Sequence, residues 1–395
     1  MKKPILDGIR VLDFGRFIAA PYAGQLLADL GAEVVRVERP KPEPDRLRGP
    51  YLEGNSLYFV TLNRNKKSVA FEMFTDAGRC LLDDLIAKTD ILISNFSPRA
   101  ARGLGFTQDR LLALNPRLIV LSITAYGPDG PDAERIGFDT LAQARSGAMQ
   151  CNGEDKPYFN HLPYVDFSTA IYGGFGLMAA LYERERTGEG QWIDVSLMET
   201  VSAFVGSYGM IAEARLLDQP RQRQGNSLIF ALGDCLRAKD GDFVIFNVIG
   251  NMWPRLCEMI GHPELLEDGR FATDESRYAY RDDILPYIAE WIAGTNVPDI
   301  LAAAEQHRIP FERVSTVGDL AKDAHAEARE MFPSVAQPHV GDIPVSRLGL
   351  SMSAHDRAEL KPAPAIGEHT VSVLENWLGY TPSQFQSLRD NGVIP

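Results

Sequence analysis

The fold is decided by the stretch Ile9–Glu38, IRVLDFGRFIAAPYAGQLLADLGAEVVRVE. A short run of strand-forming residues, Ile9–Phe14, is followed by a helical segment at Pro21–Gly31 and by a second apolar strand at Ala32–Glu38. A strand, a helix and a strand in such close succession are typical of a βαβ unit, which requires a parallel sheet. The first turn lacks the three spaced glycines of a dinucleotide-binding loop, so the pattern disfavours NAD and FAD.

The same alternation continues through the first half of the chain. The sequence predicts further strands at Val69–Glu72, Ile91–Ile93, Leu118–Thr124 and Gln191–Ser196. It predicts further helices at Asp76–Lys88, Gln108–Leu114, Asp139–Ser146, Tyr164–Leu181 and Leu197–Ala214. Strands that alternate with helices indicate an α/β fold with a doubly wound parallel sheet, a Rossmann-like architecture.

The second half of the chain has a different pattern. Residues 218–225 are polar and rich in helix breakers, which indicates a linker. Strands are predicted on both sides of the Asp240-Gly241 turn, and they are followed by helices at Trp253–Ile260, Ile284–Ala293 and Pro298–His307. A smaller α+β domain is therefore expected over residues 226–325. Short strands at Gly341–Leu350 and helices at Thr370–Leu378 and Pro382–Leu388 are predicted to close the chain.

Composition and charge disfavour several functional classes. The 395 residues carry a formal net charge of −13, which argues against nucleic acid as the main partner. No signal-peptide-like segment and no membrane-spanning apolar run occurs in the sequence, so we expect a cytoplasmic protein without membrane contact. The histidines fall singly and the four cysteines are far apart, so we expect neither a metal site nor disulfides. The cysteines are Cys80, Cys151, Cys235 and Cys257.

Asp166 stands near the start of the apolar helix predicted from Tyr164 to Leu181, three residues after Pro163. Small and apolar residues fill both faces of this segment, which indicates a fully buried helix. One interpretation makes Asp166 only an N-cap, whose carboxylate accepts a hydrogen bond from the next turn. The other makes it a nucleophile, which the helix N-terminus holds ionised in a dry pocket. The local sequence favours the N-cap by roughly four to one.

Polar or basic turns suggest an anionic ligand. Arg39–Pro50 follows the second strand, Asn63–Ser68 precedes a short strand, and Asn95–Arg102 follows a buried strand. We expect these turns to share one edge of the sheet and to favour a ligand that carries phosphates. Without a GxSxG elbow, a Walker loop or a histidine cluster, a carboxylate remains the favoured chemical group.

Several motifs, in order along the chain, resemble the class III CoA transferases (the CaiB/BaiF type). This family includes formyl-CoA, carnitine-CoA and bile-acid CoA transferases, and the α-methylacyl-CoA racemases are close relatives. The motifs are Leu6–Phe14, Leu30–Glu38, Asn63–Ser68, Gly137-Phe138-Asp139, Gln143–Gly147, Thr187–Gln191 and Gly367–Thr370. The resemblance implies a discontinuous large domain, residues 1–217 and 326–395, with the smaller domain inserted, and an interlocked homodimer.

The resemblance also implies a role for Asp166, which matches the nucleophilic aspartate of such transferases. Its carboxylate is expected to attack an acyl-CoA thioester, giving an aspartyl anhydride and then an aspartyl-CoA thioester. A free carboxylic acid then takes the CoA by the reverse steps. Neither ATP nor a metal is required, because the thioester bond is preserved throughout. Backbone amides near Asp166 or in a mobile loop are the candidates for stabilising the oxyanions.

The resemblance assigns further residues to CoA. Ile18 and Ala19 match the first turn, Arg39 a phosphate-binding arginine, and Phe71 to Phe74 (Phe71, Glu72, Met73 and Phe74) the adenine side. Asn95, Phe96 and Ser97 match the pantetheine-side turn. Gly103 stands where the family often has a basic residue, and Arg102 is the expected substitute. The formyl-CoA enzyme's glycine-rich flap and substrate-side tryptophan have no counterpart here, so oxalate specificity is unsupported. The expected substrate pocket contains Arg16, Phe138, His161 and Tyr164.

Two alternatives remain. The racemase branch has Gly-His-Asp where this chain has Gly137-Phe138-Asp139, and phenylalanine cannot transfer a proton, so racemisation is disfavoured. A non-catalytic CoA-binding protein would keep the turns and lose the acid. Asp166 is present, which counts against this alternative without eliminating it.

Overall fold

The computed structural model describes residues 4–217, 221–228 and 230–395. Part of the predicted linker, residues 218–220, and the first residue of the predicted strand region at 229 lie outside the described residues. The strands are β1 (Arg10–Asp13), β2 (Glu33–Glu38), β3 (Tyr51–Leu52), β4 (Asn55–Ser56), β5 (Lys67–Ala70), β6 (Ile91–Ser94), β7 (Ile119–Thr124), β8 (Gln191–Ser196), β9 (Cys235–Arg237), β10 (Phe243–Phe246), β11 (Phe311–Arg313), β12 (Ser334–Gln337) and β13 (Gly341–Pro344).

The helices are distributed along the whole described chain. They are α1 (Ala19–Asp29), α2 (Leu57–Asn63), α3 (Asp76–Ile86), α4 (Pro98–Gly103), α5 (Gln108–Leu114), α6 (Asp139–Arg145), α7 (Tyr164–Thr187), α8 (Leu197–Ser207), α9 (Met210–Leu216), α10 (Met252–Ile260), α11 (Asp274–Ala279), α12 (Arg281–Gly294), α13 (Val297–His307), α14 (Val317–Leu320), α15 (Ala324–Ala328), α16 (Thr370–Leu378) and α17 (Pro382–Asp390). Among the described helices, none is long and apolar enough to cross a membrane.

Six strands form one parallel sheet in the order β5-β2-β1-β6-β7-β8. Every neighbouring pair is parallel, with Leu12 of β1 opposite Val35 of β2 and Leu92 of β6. The order reverses at β1, because the chain adds β2 and β5 on one side and β6, β7 and β8 on the other. The mixed α/β architecture with a parallel sheet, predicted from the alternation of elements, is confirmed.

Alternate residues of the sheet strands enter two separate cores. In β1, Val11 packs in one apolar cluster with α1, α7 and α8, whereas Leu12 packs in another with α3, α5, α16 and α17. In β6, Ile91 and Ile93 join the first cluster and Leu92 joins the second. Successive side chains of a strand point to opposite faces, so helices cover both faces of this sheet. Because both faces are buried, the sequences of these strands are continuous apolar runs.

The C-terminal segment packs against the sheet built by the N-terminal half. The amide of His369 donates to the carbonyl of Ser68 (2.9 Å), and the amide of Ala70 donates to Thr370 Oγ1 (3.1 Å). Trp377 Nε1 donates to Glu33 Oε2 (3.0 Å). Both ends of the chain therefore contribute to the same core.

Two compact units divide the chain. The first contains residues 1–149, 159–220 and 328–395, and the second contains 150–158 and 221–327. The second unit has an antiparallel sheet in the order β11-β10-β9 and its own apolar core, to which α10, α12 and α13 contribute. Residues 150–158, which the sequence analysis placed in the large domain, group with this second unit. The predicted bounds 1–217, 226–325 and 326–395 stay a prediction.

Two details of the sequence prediction are wrong. The helix predicted over Leu197–Ala214 is two helices, α8 and α9, because the backbone of Gly209 has φ 83° and interrupts it. Helix α7 is not fully buried in this chain: Phe175 is 77% exposed and Tyr182 is 70% exposed.

The turn Asn63–Ser68 does not add to a phosphate-binding edge as predicted. It leads from the end of α2 into the first residues of β5, at the amino end of that strand, and two of its cations, Arg64 and Lys66, are buried. Lys66 Nζ bonds to Asp13 Oδ2 at 2.7 Å, and Arg64 bonds to Asp29. These residues stabilise the packing of α1 and α2 on the sheet. The expectation that this turn shares the carboxyl edge of the sheet with the other two was wrong, and a ligand at the turn itself stays a prediction.

Candidate active site

Asp166 borders a cavity of about 290 Å³ at the carboxyl end of the parallel strands. Open α/β sheets bind ligands at this edge, beside the point where the strand order reverses. The walls come from the turn after β1, the turn after β6, the end of β7, the loop before α6 and the start of α8. The lining residues are Arg16–Ala19, Asn95–Pro98, Ile123–Ala125, Ala133, Arg135–Phe138, Asp166 and Leu197.

The position of Asp166 in its helix differs from the prediction. Helix α7 begins at Tyr164, and the residue at the cap position is Pro163, so Asp166 lies inside the first turn and is not the N-cap. The first-turn amides are bonded elsewhere. Val165 N and Asp166 N both donate to Asp139 Oδ2, at 2.8 and 3.0 Å. The carboxylate that caps α7 therefore comes from α6, and Asp166 is left to face the cavity.

Burial, and after it the negative charge of Asp139, raises the pKa of the Asp166 carboxyl from 3.8 to about 7. The expectation that the helix N-terminus holds this carboxylate ionised was wrong. The two nearest amides, those of Val165 and Asp166, already donate to the carboxylate of Asp139. Burial therefore has the largest effect on the pKa of Asp166. A carboxylate of such basicity is partly ionised near neutral pH and is a stronger nucleophile than an exposed aspartate.

Asp139 is itself held in place. It is 5% exposed, and its Oδ1 accepts a hydrogen bond from Gln143 Nε2 one turn later in α6. Gln143 is fixed by Asn160, whose amide donates to Gln143 Oε1 (2.9 Å) and whose carbonyl accepts from Gln143 Nε2 (3.2 Å). The segment that leads into α7 and the first turn of α6 are thus joined through one carboxylate.

The first turn after β1 is rigidly organised. Arg16 donates through its guanidinium to the carbonyls of Phe14 and Gly15 and forms an ion pair with Glu43 at 3.0 Å. Asn95 bonds to both the amide and the carbonyl of Arg16, at 2.8 and 2.7 Å. Burial, followed by the charge of Arg36, lowers the pKa of Arg16. Arg16 lines the cavity as predicted, but its donors serve mainly the turn itself.

The residues predicted to contact CoA fall into two groups. Ile18, Ala19, Asn95, Phe96 and Ser97 all line the Asp166 cavity. The others lie outside it. On the predicted adenine side, Phe71 and Met73 are buried in the core, Glu72 is half-buried and Phe74 is exposed. The two predicted cations form ion pairs, Arg39 with Glu43 at 3.2 Å and Arg102 with Glu134 at 2.6 Å. Among the predicted adenine-side residues, Phe74 has the most exposed side chain.

The predicted substrate pocket is divided in the same way. Phe138 lines the cavity, 54% exposed, with its ring edge-to-face against Phe17 at 6.0 Å. His161 lies outside the cavity and contacts the ring of Phe159 at 4.5 Å. Tyr164 is half-buried in the first turn of α7, and burial raises the pKa of its hydroxyl.

Three site residues escaped the sequence analysis. The charge of Asp166 contributes to raising the pKa of the Tyr58 hydroxyl, which places this α2 residue near the carboxylate. Arg135 lines the cavity and stands in an otherwise unremarked loop. Asp139 had a visible signal, since it completes the Gly137-Phe138-Asp139 motif, but the bond to α7 joins residues 27 positions apart and has no local pattern.

The family described as CoA-transferase family III matches residues 6–370 of the chain. The succinyl-CoA–D-citramalate CoA-transferase of Chloroflexus aurantiacus is 32% identical over 395 residues, covering 98% of each protein. The formyl-CoA:oxalate CoA-transferase of Streptomyces avermitilis is 32% identical over 416 residues, covering 98% of this chain and 99% of that one. A crystal structure of a CaiB/BaiF family protein from Brucella suis matches with a TM-score of 0.84 and 30% identity, covering 95% of this chain and 100% of that one.

Proposed function

The chain belongs to CoA-transferase family III, as the sequence motifs predict, and from this we propose that it moves CoA from an acyl-CoA thioester to a free carboxylic acid through Asp166. The observation that carries the proposal is the position of this carboxylate. It borders a cavity shared with Ile18, Ala19 and Asn95–Ser97, and burial keeps it more basic than an exposed aspartate. No other acidic residue lines that cavity among the described residues.

The proposed reaction is a series of acyl transfers that begins at one carboxylate oxygen of Asp166. An Asp166 oxygen attacks the thioester carbonyl, the C–S bond breaks, and a mixed anhydride and CoA thiolate form. The thiolate attacks the aspartyl carbonyl, which releases the donor acid and leaves an aspartyl-CoA thioester. The acceptor carboxylate then forms a second anhydride, and the thiolate returns to the acceptor's acyl carbon. Each step exchanges one bond for another, so nucleophilic catalysis needs no external energy source.

The oxyanions and the thiolate need positive partners. Helix α1 begins at the cavity wall, at Ile18 and Ala19, and a helix N-terminus carries partial positive charge. By contrast, the amides of Val165, Asp166 and Phe167 are already bonded, to Asp139 and to the carbonyl of Pro163. We therefore assign anion stabilisation to the first turn of α1, and not to the amides beside Asp166, which were one of the two candidates of the sequence analysis.

The acceptor proposed here is a small dicarboxylic acid. The names of the two relatives described above contain succinyl-CoA with citramalate and formyl-CoA with oxalate, and in both the acid that pairs with the acyl-CoA is a dicarboxylic acid. Arg135 lines the cavity of this chain. Arg135 and Arg145 share a single carboxylate, Asp132, so the group has an excess of positive charge. Such a group attracts a second carboxylate.

Racemisation at the α-carbon is less well supported. It requires a second proton-transfer group across the substrate from Asp166. Phe138 occupies the motif position at which the racemase branch has histidine, and its exposed ring lines the cavity. An apolar ring there favours transfer over epimerisation.

We also propose that the protein is a homodimer, as the family resemblance implies. The exposed face of α7 carries large apolar side chains, and α8 and α9 add more: Ile171, Tyr172, Phe175, Tyr182, Phe204, Tyr208, Ile211 and Leu216. A surface of this kind on a single chain is typical of a protein–protein interface. The smaller unit as an inserted domain and the interlocked arrangement are parts of the same proposal.

The covalent mechanism can be tested by isotope transfer. Wild type and Asp166→Ala are incubated with succinyl-CoA and ¹⁸O-labelled dicarboxylic acids in D₂O. Mass spectrometry then follows the CoA thioesters and the peptide that contains residue 166. We expect a new thioester and ¹⁸O on Asp166 in wild type alone. A new thioester without label on Asp166 would contradict the covalent route, and deuterium at the α-carbon without a new thioester would identify a racemase. Asp194→Asn, an exposed carboxylate on β8, is the matched control.

A further inference from the structure

We propose that Asp139 is a positioning residue that occupies the positive end of α7 itself, so that Asp166 faces the cavity without that stabilisation. The inference rests on the proposed function of Asp166 as nucleophile. It gives Asp139, the acidic residue of the Gly137-Phe138-Asp139 motif, a role other than substrate contact. Asp139 lies outside the set of cavity-lining residues, whereas its neighbour Phe138 belongs to that set.

The geometry gives Asp139 two partners on α7 and one on its own helix. Oδ2 accepts from Val165 N and Asp166 N, and Oδ1 accepts from Gln143 Nε2. A carboxylate that accepts two amides of a first helical turn compensates much of the partial positive charge there. The bond to Asp166 N is made to the backbone of the nucleophile itself. Asp139 thus fixes the main-chain position of Asp166 and alters the field at its side chain.

Among the described groups near Asp166, none other than Asp139 places a negative charge beside its side chain. Arg16 and Arg135 line the same cavity, but Arg16 is paired with Glu43 and Arg135 with Asp132. Tyr58 and Tyr164 are phenols whose pKa values are raised, so both are neutral at physiological pH. Asp139 is therefore the charged group that acts most directly on Asp166, in agreement with its contribution to the raised pKa of that carboxyl.

The arrangement has a chemical consequence. If the helix N-terminus stabilised the Asp166 carboxylate directly, the carboxylate would be less basic and a weaker nucleophile. Compensation by Asp139 leaves the nucleophile basic and still fixed at the helix start. We expect this to favour attack on a thioester, for which reactivity increases with the basicity of the attacking group.

The test is a direct titration of Asp166, which needs no substrate. The protein is labelled with ¹³C at aspartate side-chain carbons, and the Asp166 signal is assigned from its loss in Asp166→Asn. In Asp139→Asn we expect the pKa of Asp166 to fall from about 7 by about one unit, because the negative neighbour is removed. Asp139→Glu, which keeps the charge, is expected to restore most of the difference.

Loosened packing could also lower the pKa of Asp166, by exposing it to water. Gln143→Ala is the matched control, since it removes the support of Asp139 and leaves its charge in place. We expect Gln143→Ala to retain a pKa for Asp166 close to the wild-type value. An equal fall in Gln143→Ala and Asp139→Asn, or no change in Asp139→Asn, would overturn the proposal.

Activity distinguishes this proposal from the function on which it rests. With an active substrate pair, Asp139→Asn should move the acidic limb of the kcat profile to lower pH and reduce kcat above that limb by up to about tenfold. If wild type forms no Asp166-dependent thioester with any acid, the proposed function fails, while the titration still reports on Asp139. If transfer occurs but the pH profile of Asp139→Asn matches wild type, only the positioning role fails.

Discussion

Replacing Asp166 by asparagine should stabilise the protein, and by an amount that depends on pH. Burial raises the pKa of this carboxyl from 3.8 to about 7. Below pH 3.8 the carboxyl is protonated in both the folded and the unfolded protein, so burial carries no charge penalty. Between pH 3.8 and about 7 the unfolded chain releases this proton while the folded protein keeps it, so the free energy of unfolding falls as pH rises.

The size of the effect follows from the two pKa values. At about 1.4 kcal/mol per pH unit, the interval corresponds to about 4 kcal/mol above pH 7. Water has access to the cavity that Asp166 borders, and screening reduces the effect, so we expect about 2–4 kcal/mol. Asp166→Asn removes the ionisation and keeps a side chain of nearly the same size. The free energy of unfolding of Asp166→Asn should exceed that of wild type by almost nothing at pH 3.8 and by nearly the full amount at pH 8.

Urea denaturation of wild type and Asp166→Asn at pH 4.5, 6 and 8, at equal protein concentration, measures this difference. Asp194→Asn removes an exposed carboxylate instead and should show no comparable pH trend. An advantage of Asp166→Asn that is the same at all three pH values would refute a raised pKa as its cause. Greater stability of wild type at pH 8 would mean that the ionised carboxylate has a stabilising partner in the folded protein.

Three further changes test other parts of the molecule. Arg39→Gln should raise KM for acyl-CoA about tenfold with little change in kcat, and should leave the KM for an acyl-pantetheine without the nucleotide unchanged, if this arginine binds the phosphates. Lys66→Met should lower the free energy of unfolding by about 3–5 kcal/mol in urea denaturation, because the carboxylate of Asp13 remains buried without its cation. Phe175→Asp should shift the protein from dimer to monomer in sedimentation velocity, whereas Val317→Asp, at a residue that is also largely exposed, should not.

The parallel sheet could be predicted because its signal is local. Each central strand is a short apolar run that is buried on both faces, and each is followed by a helix with its own boundary residues. Ile91–Ser94 and Ile119–Thr124 were located to within one residue for this reason. Helix α9 was missed as a separate element because one glycine in an otherwise helical segment does not by itself end a helix.

The charged residues were harder to interpret, because their roles depend on long-range contacts. Lys66 and Arg64 resembled a basic ligand-binding turn, yet each meets a buried aspartate from another element. A basic residue in a sequence does not reveal whether its partner is an external phosphate or an internal carboxylate. The same holds for Asp166, whose nucleophilic role is expected from family resemblance, whereas its chemical environment depends on Asp139, 27 residues earlier.

The apolar sequence of α7 predicts more burial than a single chain provides. This difference supports the proposal that a second copy of the chain covers the helix. Apolar residues on both faces predict a helix surrounded by protein, but one face carries Ile171, Phe175 and Tyr182 exposed. These residues fall at positions i, i+4 and i+11, which form one stripe along a helix. The proposed dimer would cover the stripe, and burial in that dimer would account both for the apolar sequence and for the exposure in a single chain. Since Asp166 lies in the first turn of the same helix, charge on the stripe in Phe175→Asp should also lower transfer activity in parallel with dimer content. Full activity in a purely monomeric variant would show that transfer does not require the dimer, and a Phe175→Asp variant that stays dimeric would show that the stripe serves another purpose.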